Sequence, residues 1–169
     1  MRYFVHDLSR DKTNNERTIF CGATILNSKW IVTAAHCVFD IPNTDEIALT
    51  AGHTDSQWSD AERNAHFTEL TPLAIFIHKG WDESNVLGDL AMIKVVEFEF
   101  NPAIMPICLP PTTFEIEKSM SSEEEDGPVC IITGWGSTLG TGQSNVLQQA
   151  TIPVSLLEMH LRILFLDNI

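Results

Sequence analysis

The sequence predicts an all-β chain built on a small antiparallel barrel, and three observations carry that expectation. Short runs rich in β-forming residues recur along the chain, with polar or turn-forming residues between them. Hydrophobic residues make up 44% of the 169, enough for a packed core and too many for a disordered chain. No internal repeat appears.

Taken in order, residues 3–8 read as a first strand, and the polar stretch 9–17 as the hairpin loop after it. Residues 18–26 and 29–33 make a second strand pair. Residues 47–51 and 67–77 are short β-rich runs on either side of a polar loop, 52–65. Residues 90–95 close this set. The segment 100–111 carries four prolines and reads as an extended linker. Residues 115–126 are acidic and poor in apolar side chains, which predicts an exposed loop. Such charge runs are usually solvated faces, with docking of a basic partner as the alternative. Residues 129–133 and 146–154 read as a further hairpin. Beyond Pro153, Ser155 and Glu158 fit a capping box, and Leu157, Leu161, Leu164 and Phe165 have helical spacing, so a short C-terminal helix is expected.

Charge and hydropathy exclude several function classes. A formal net charge of −13 argues against nucleic acid, whose phosphates need Lys and Arg. No apolar run reaches the roughly 18 residues of a membrane span. No basic segment followed by an apolar stretch opens the chain, so a signal peptide is not visible.

The segment with the most chemistry is Thr33-Ala34-Ala35-His36-Cys37. A strand-like run, Trp30-Ile31-Val32-Thr33, feeds two small residues that permit a tight turn against neighbouring backbone. A histidine follows, and a bridged cysteine beside it would hold the imidazole in place. A general base needs that preparation, because geometry comes before pKa. The competing readings are a metal site and an ordinary buried histidine. A local metal site wants a second close ligand pair, such as C-x2-C or H-x3-H, and neither occurs here.

These residues resemble the histidine motif of trypsin-like (chymotrypsin-fold) serine proteases, and four further segments match that family in order. Cys21-Gly22-Ala23-Thr24-Ile25-Leu26 resembles the strand before the histidine, with Ala23 where the family usually has a second glycine. Asp89-Leu90-Ala91-Met92-Ile93 resembles the aspartate motif. Pro106-Ile107-Cys108-Leu109-Pro110 resembles the linker between two barrels, and Thr133-Gly134-Trp135-Gly136 the first long strand of the second. Any one of these would be a weak signal; five in order, from about residue 20 to 153, are a strong one. The resemblance implies a double antiparallel β-barrel in three parts: 1–100 as a nearly complete first barrel, 101–128 as inter-barrel linker and acidic loop, and 129–169 as the start of a second barrel with a divergent tail. Neither the family's Ile-Val-Gly-Gly start nor its Gly-Asp-Ser-Gly-Gly-Pro nucleophile segment occurs in the 169 residues. The expectation is a protease domain cut at both ends.

Four cysteines leave several pairings open by spacing alone. The resemblance implies that Cys21 and Cys37 bridge the histidine loop, closing about 16 residues at a gain of roughly 3 kcal/mol. Cys108 resembles the cysteine that ties many relatives to an upstream propeptide or light chain, and Cys130 one whose partner lies near the missing nucleophile. The family and its cysteines imply a secreted protein. The loop 52–62 stands where some relatives bind calcium, and Asp55, Asp60 and Glu62 offer oxygen ligands. His53, however, replaces a usual glutamate, and acids are commonplace in polar loops. No metal and no cofactor are therefore expected.

The implied chemistry is acyl transfer on a polypeptide substrate. A serine attacks the peptide carbonyl, His36 matches the base that takes its proton, and Asp89 matches the acid that fixes the imidazole tautomer. Ser84, Ser137 and Ser144 lie in polar or glycine-rich stretches without the strained turn a nucleophile needs. Two expectations follow. The first is part of a serine endopeptidase that is inactive as this chain. The second is a non-catalytic serine protease homologue that acts as a secreted protein-binding module.

Overall fold

The computed structural model of the protein describes residues 4–12, 16–52, 54, 68–109, 129–138 and 142–153. It divides into two units, residues 1–108 and 109–169. In the first unit seven strands form one antiparallel sheet: β1 (Phe4–Lys12), β2 (Glu16–Asn27), β3 (Trp30–Thr33), β4 (Ile47–Ala51), β5 (Thr68–Leu70), β6 (Pro72–Ile77) and β7 (Ala91–Val95). Their order across the sheet is β5-β4-β1-β2-β3-β7-β6. This is the all-β architecture expected of a chymotrypsin-like fold.

The edges of that sheet explain its shape. β5 and β6 stand at opposite ends of the strand order, yet only Thr71 separates them along the chain. A single residue bridges no more than a few ångströms, so the sheet curls until its two edges meet at that corner. The run 67–77, expected as one stretch, is broken there. Pro72 has no N–H for a ladder, and it disfavours helix in the residue before it. The chain stops pairing with β4 at Leu70 and begins pairing with β7 at Pro72.

The N-terminal hairpin differs from expectation. The polar stretch 9–17 is strand rather than loop over its described residues, β1 running to Lys12 and β2 starting at Glu16. The register sets Asp11 opposite Arg17 and Lys12 opposite Glu16. Paired backbone thus runs through a stretch whose polarity suggests a loop.

Alternation decides which faces pack. On β7, Ala91, Ile93 and Val95 are buried, while Met92 and Lys94 are not. On β3, Ile31 and Thr33 are the buried pair. Ile25, Ile31, Leu49, Leu70 and Ile93 are fully buried together at the centre of the curl. On the outer face Trp30 meets Phe76 with ring centroids 5.5 Å apart, and the Lys94 ammonium lies 6.0 Å from the Trp30 ring centroid. The start of the proline-rich segment packs on this unit: Ile104 is buried in the core, and the Ile107 N–H donates to the Ile25 carbonyl at 2.9 Å.

The second unit holds one described hairpin, β8 (Val129–Thr138) and β9 (Gly142–Pro153), which extends further toward its turn than the runs 129–133 and 146–154 read from sequence. Ser137 and Ser144 lie within these strands rather than in loops. The acidic loop 115–126, the calcium-type residues His53, Asp55, Asp60 and Glu62, and the expected helix after Pro153 lie outside the described residues. No helix among the described residues is long and apolar enough to cross a membrane.

Candidate active site

The site begins with a strand register. β3 and β7 pair antiparallel, with Thr33 opposite Ala91. Continued past the last pair, that ladder brings residues 35 and 36 level with 88 and 89. Two segments 53 positions apart in sequence therefore leave the same end of the sheet side by side.

Local chemistry shapes the His36 side. The chain turns from β3 into a single 3₁₀ turn, Ala35–Cys37, with the Cys37 N–H donating to the Ala34 carbonyl at 3.2 Å. Ala35 is fully buried in the core, where a larger side chain would have no room. The Thr33 hydroxyl, itself buried, donates to the Gly22 carbonyl at 2.9 Å and ties the end of β3 to β2. Cys21 on β2 and Cys37 on the turn form a disulfide, with Cα atoms 6.1 Å apart. His36 is thus flanked by a buried alanine and a bridged cysteine, and its ring faces outward, 56% exposed.

The Asp89 side depends on glycine and on backbone contacts. Gly88 is buried with φ +61°, and a Cβ there would meet the Gly80 carbonyl oxygen at 2.5 Å. The Leu90 N–H donates back to the Gly88 carbonyl at 2.7 Å, and the His78 N–H to the Leu90 carbonyl at 2.9 Å. Asp89 is thereby held in a tight bend just before β7. Phe39 and Trp81 join the two segments from outside, with ring centroids 5.7 Å apart and planes tilted by 54°. The need for glycine at position 88 escaped the sequence reading. Its only trace there is the Gly-Asp step before the apolar strand.

Both carboxylate oxygens of Asp89 serve His36. Oδ1 accepts the His36 backbone N–H at 2.8 Å, and Oδ2 lies 2.7 Å from Nδ1 of the ring. Burial pushes the Asp89 carboxyl up. The hydrogen bonds from the His36 backbone and ring, the His36 charge and the Ala35 backbone outweigh it and hold the carboxyl below its ordinary range. An ionised carboxylate accepts only, so in the neutral imidazole the ring proton sits on Nδ1 and the lone pair on Nε2. Nε2, which lies 3.5 Å from Cys37 Sγ, is then an oriented proton acceptor. Ser84, weighed as a substitute nucleophile, is exposed in a turn whose shape comes from its N–H donating to Asp82 Oδ1 at 2.9 Å.

The chain resembles known proteins over most of its length. The sequence model of the Trypsin family matches residues 6–160. The chain is 28% identical over 155 residues to serine protease grass of Drosophila melanogaster. It is 32% identical over 141 residues to clotting factor C of Tachypleus tridentatus, and 30% over 139 residues to trypsin-1 of Astacus astacus. These alignments take in 87%, 79% and 80% of this chain, but 40%, 13% and 53% of the respective relatives. The chain spans about half of their length or less.

Proposed function

The chain belongs to the trypsin family, and on that premise we propose that it supplies the base and the orienting acid of a serine endopeptidase. The observation that carries this reading is the 2.7 Å contact from Asp89 Oδ2 to His36 Nδ1, in a histidine whose side chain is more than half exposed. His36 Nε2 takes the proton of an attacking serine hydroxyl. Asp89 stabilises the imidazolium that results and prevents the tautomer in which Nε2 would carry the proton. A pair that served only packing would have no need of an exposed imidazole.

The hydroxyl itself belongs to a Gly-Asp-Ser-Gly-Gly-Pro segment in this family, and the 169 residues contain none. We therefore assign no hydrolytic activity to this chain by itself. The backbone donors that stabilise the oxyanion lie beside that serine in the family, so their contribution is absent with it. Polypeptides are the substrate class this reading implies. The disulfide suits an oxidising, extracellular setting. Cys108 is free and exposed, which suits a bridge to a propeptide or light chain.

A fluorophosphonate probe, which labels only an activated serine, tests the proposal. The purified 169-residue chain should take up no label. A product that also carries such a serine segment should be labelled and should lose labelling on His36→Ala. Labelling of the 169-residue chain would overturn it.

A further inference from the structure

Metal-ligand spacing is missing around His36 in the sequence, because Cys37 is its neighbour and Cys21 lies sixteen positions back. The fold removes that separation. Cys21 Sγ, Cys37 Sγ and a ring nitrogen of His36 all lie within 4.8 Å of one another. While the disulfide is closed, neither sulfur is a thiolate, and thiolates are what a metal ion takes. We propose that reduction of Cys21–Cys37 by a dithiol converts this cluster into a Cys2His site for a thiophilic divalent cation of the zinc type, and that the cation removes His36 from use as a base.

The reduction balances without further reagents. One thiolate of the dithiol attacks a cysteine sulfur and forms a mixed disulfide. The second closes the reagent's own ring, and two electrons and two protons end on Cys21 and Cys37. The cation then displaces both thiol protons.

Three observations carry the site. First, Asp89 holds Nδ1, so the nitrogen beside Cys37 Sγ, Nε2, is the one with a lone pair. A carboxylate behind the imidazole is the usual support of a metal-ligating histidine. Second, the spacing already suits a tetrahedral ion. Bonds of about 2.0–2.1 Å to nitrogen and about 2.3 Å to sulfur place those two ligand atoms roughly 3.6 Å apart. His36 Nε2 and Cys37 Sγ lie 3.5 Å apart. Once the bond opens, the two sulfurs have to separate, and Cys21 Sγ, which starts within 4.8 Å of the His36 ligand atom, has to reach the same ion. Third, the site is walled on one side and open on the other. Cys37 is 7% exposed and Cys21 half-buried, whereas the His36 ring is largely in solvent. A water completes the fourth position. Two soft sulfurs and an imidazole select zinc-like ions over calcium or magnesium. The metal site does not depend on the peptidase reading; only the loss of a catalytic base does.

The test uses the 169-residue chain with Cys108→Ser and Cys130→Ser, so that only the proposed thiols remain. The reduced protein, freed of dithiol under exclusion of oxygen, is titrated with Co²⁺, and Zn²⁺ is then added in competition. One equivalent of Co²⁺ should give thiolate-to-cobalt charge transfer and the visible bands of a tetrahedral centre, and Zn²⁺ should abolish both. The oxidised protein should give neither. His36→Ala should weaken binding at least tenfold, and Asp89→Asn, which removes only the support of the ring, by on the order of tenfold. Zn²⁺ should also protect Cys21 and Cys37 from alkylation, read by peptide mass. Absence of a one-equivalent complex in the reduced protein overturns the proposal. So does equal affinity in His36→Ala, which is the result expected if reduction unfolds the chain and the thiols alone bind.

Discussion

The carbonyl oxygen of Gly80 occupies the place a side chain on Gly88 would need, 2.5 Å from an ideal Cβ. Gly88 precedes Asp89, and Gly80 stands at the opposite end of the same loop. The approach of these two glycines therefore sets where the carboxylate emerges. Gly88→Ala has two faults: φ +61° is a left-handed conformation, and the clash is with backbone that has no rotamer to retreat into. The expected cost is about 2 kcal/mol or more in urea unfolding. Gly80→Ala is the control, since its Cβ would meet only the His78 side chain at 3.1 Å, and it should cost less. Equal stability of Gly88→Ala and the parent would show that the two backbone segments do not approach so closely.

How far the sequence foretold this site depends on which link is asked about. The strands were legible, because alternation on β7 and turn residues between runs are local signals. The pairing of His36 with Asp89 was not local. It rests on the opposition of Thr33 and Ala91, which no periodicity encodes, and only the resemblance to a family joined the two residues beforehand. The charged N-terminal hairpin differs for the converse reason: polarity suggests a loop, while the backbone ladder pairs Asp11 with Arg17 and Lys12 with Glu16. Cys21 as a neighbour of His36 likewise has no local signal, and only the family's Cys21–Cys37 bridge implies it before β2 and the 3₁₀ turn come together.

Val86 gives a test in the opposite direction. It sits at φ 53° in the loop before Gly88, and it is the one described non-glycine residue at positive φ. A β-branched side chain there costs about 1–2 kcal/mol. The surrounding turn enforces the conformation: Asp82 accepts the Ser84 and Asn85 N–H groups, Asn85 Nδ2 donates to Asp82 Oδ2 at 2.7 Å, and Asp82 pairs with Leu87. Val86 is 61% exposed, so little packing is lost with its side chain. Val86→Gly and Val86→Asn should each stabilise the protein by about 1 kcal/mol, read as a higher urea midpoint at unchanged slope. A lower midpoint in both variants would contradict the strain.

Asp89 predicts a pH dependence whose direction is fixed. Its carboxyl is pushed up by burial but held below the ordinary range by the His36 hydrogen bonds, the His36 charge and the Ala35 backbone. The folded chain therefore binds this proton less readily than the unfolded chain, where the value is about 3.9. The resulting stability is complete above about pH 5 and is lost as pH falls through the lower folded value. Asp89→Asn lacks that contribution at every pH. The gap in unfolding midpoint between parent and Asp89→Asn should be steady just above about pH 5 and close progressively in more acidic buffer. A gap that widens on acidification would show that Asp89 is raised rather than lowered by its surroundings.

The hairpin of the second unit yields a prediction about solution behaviour. Ile131 and Ile132 are neighbours on β8, so their side chains leave opposite faces of the hairpin. They are 63% and 51% exposed, and Val146 on β9 is 52% exposed. Both faces of a two-stranded sheet thus carry bare apolar groups. Such a sheet is marginally stable by itself, and its edges can template pairing with another chain. The 169-residue chain should therefore self-associate as its concentration rises, seen as growing mass in sedimentation velocity. Lysines on the two faces, Ile131→Lys with Ile132→Lys, should suppress that association, while the unfolding midpoint of the first unit, which contains neither residue, stays unchanged. A monomer at every concentration would mean that these side chains are covered in solution.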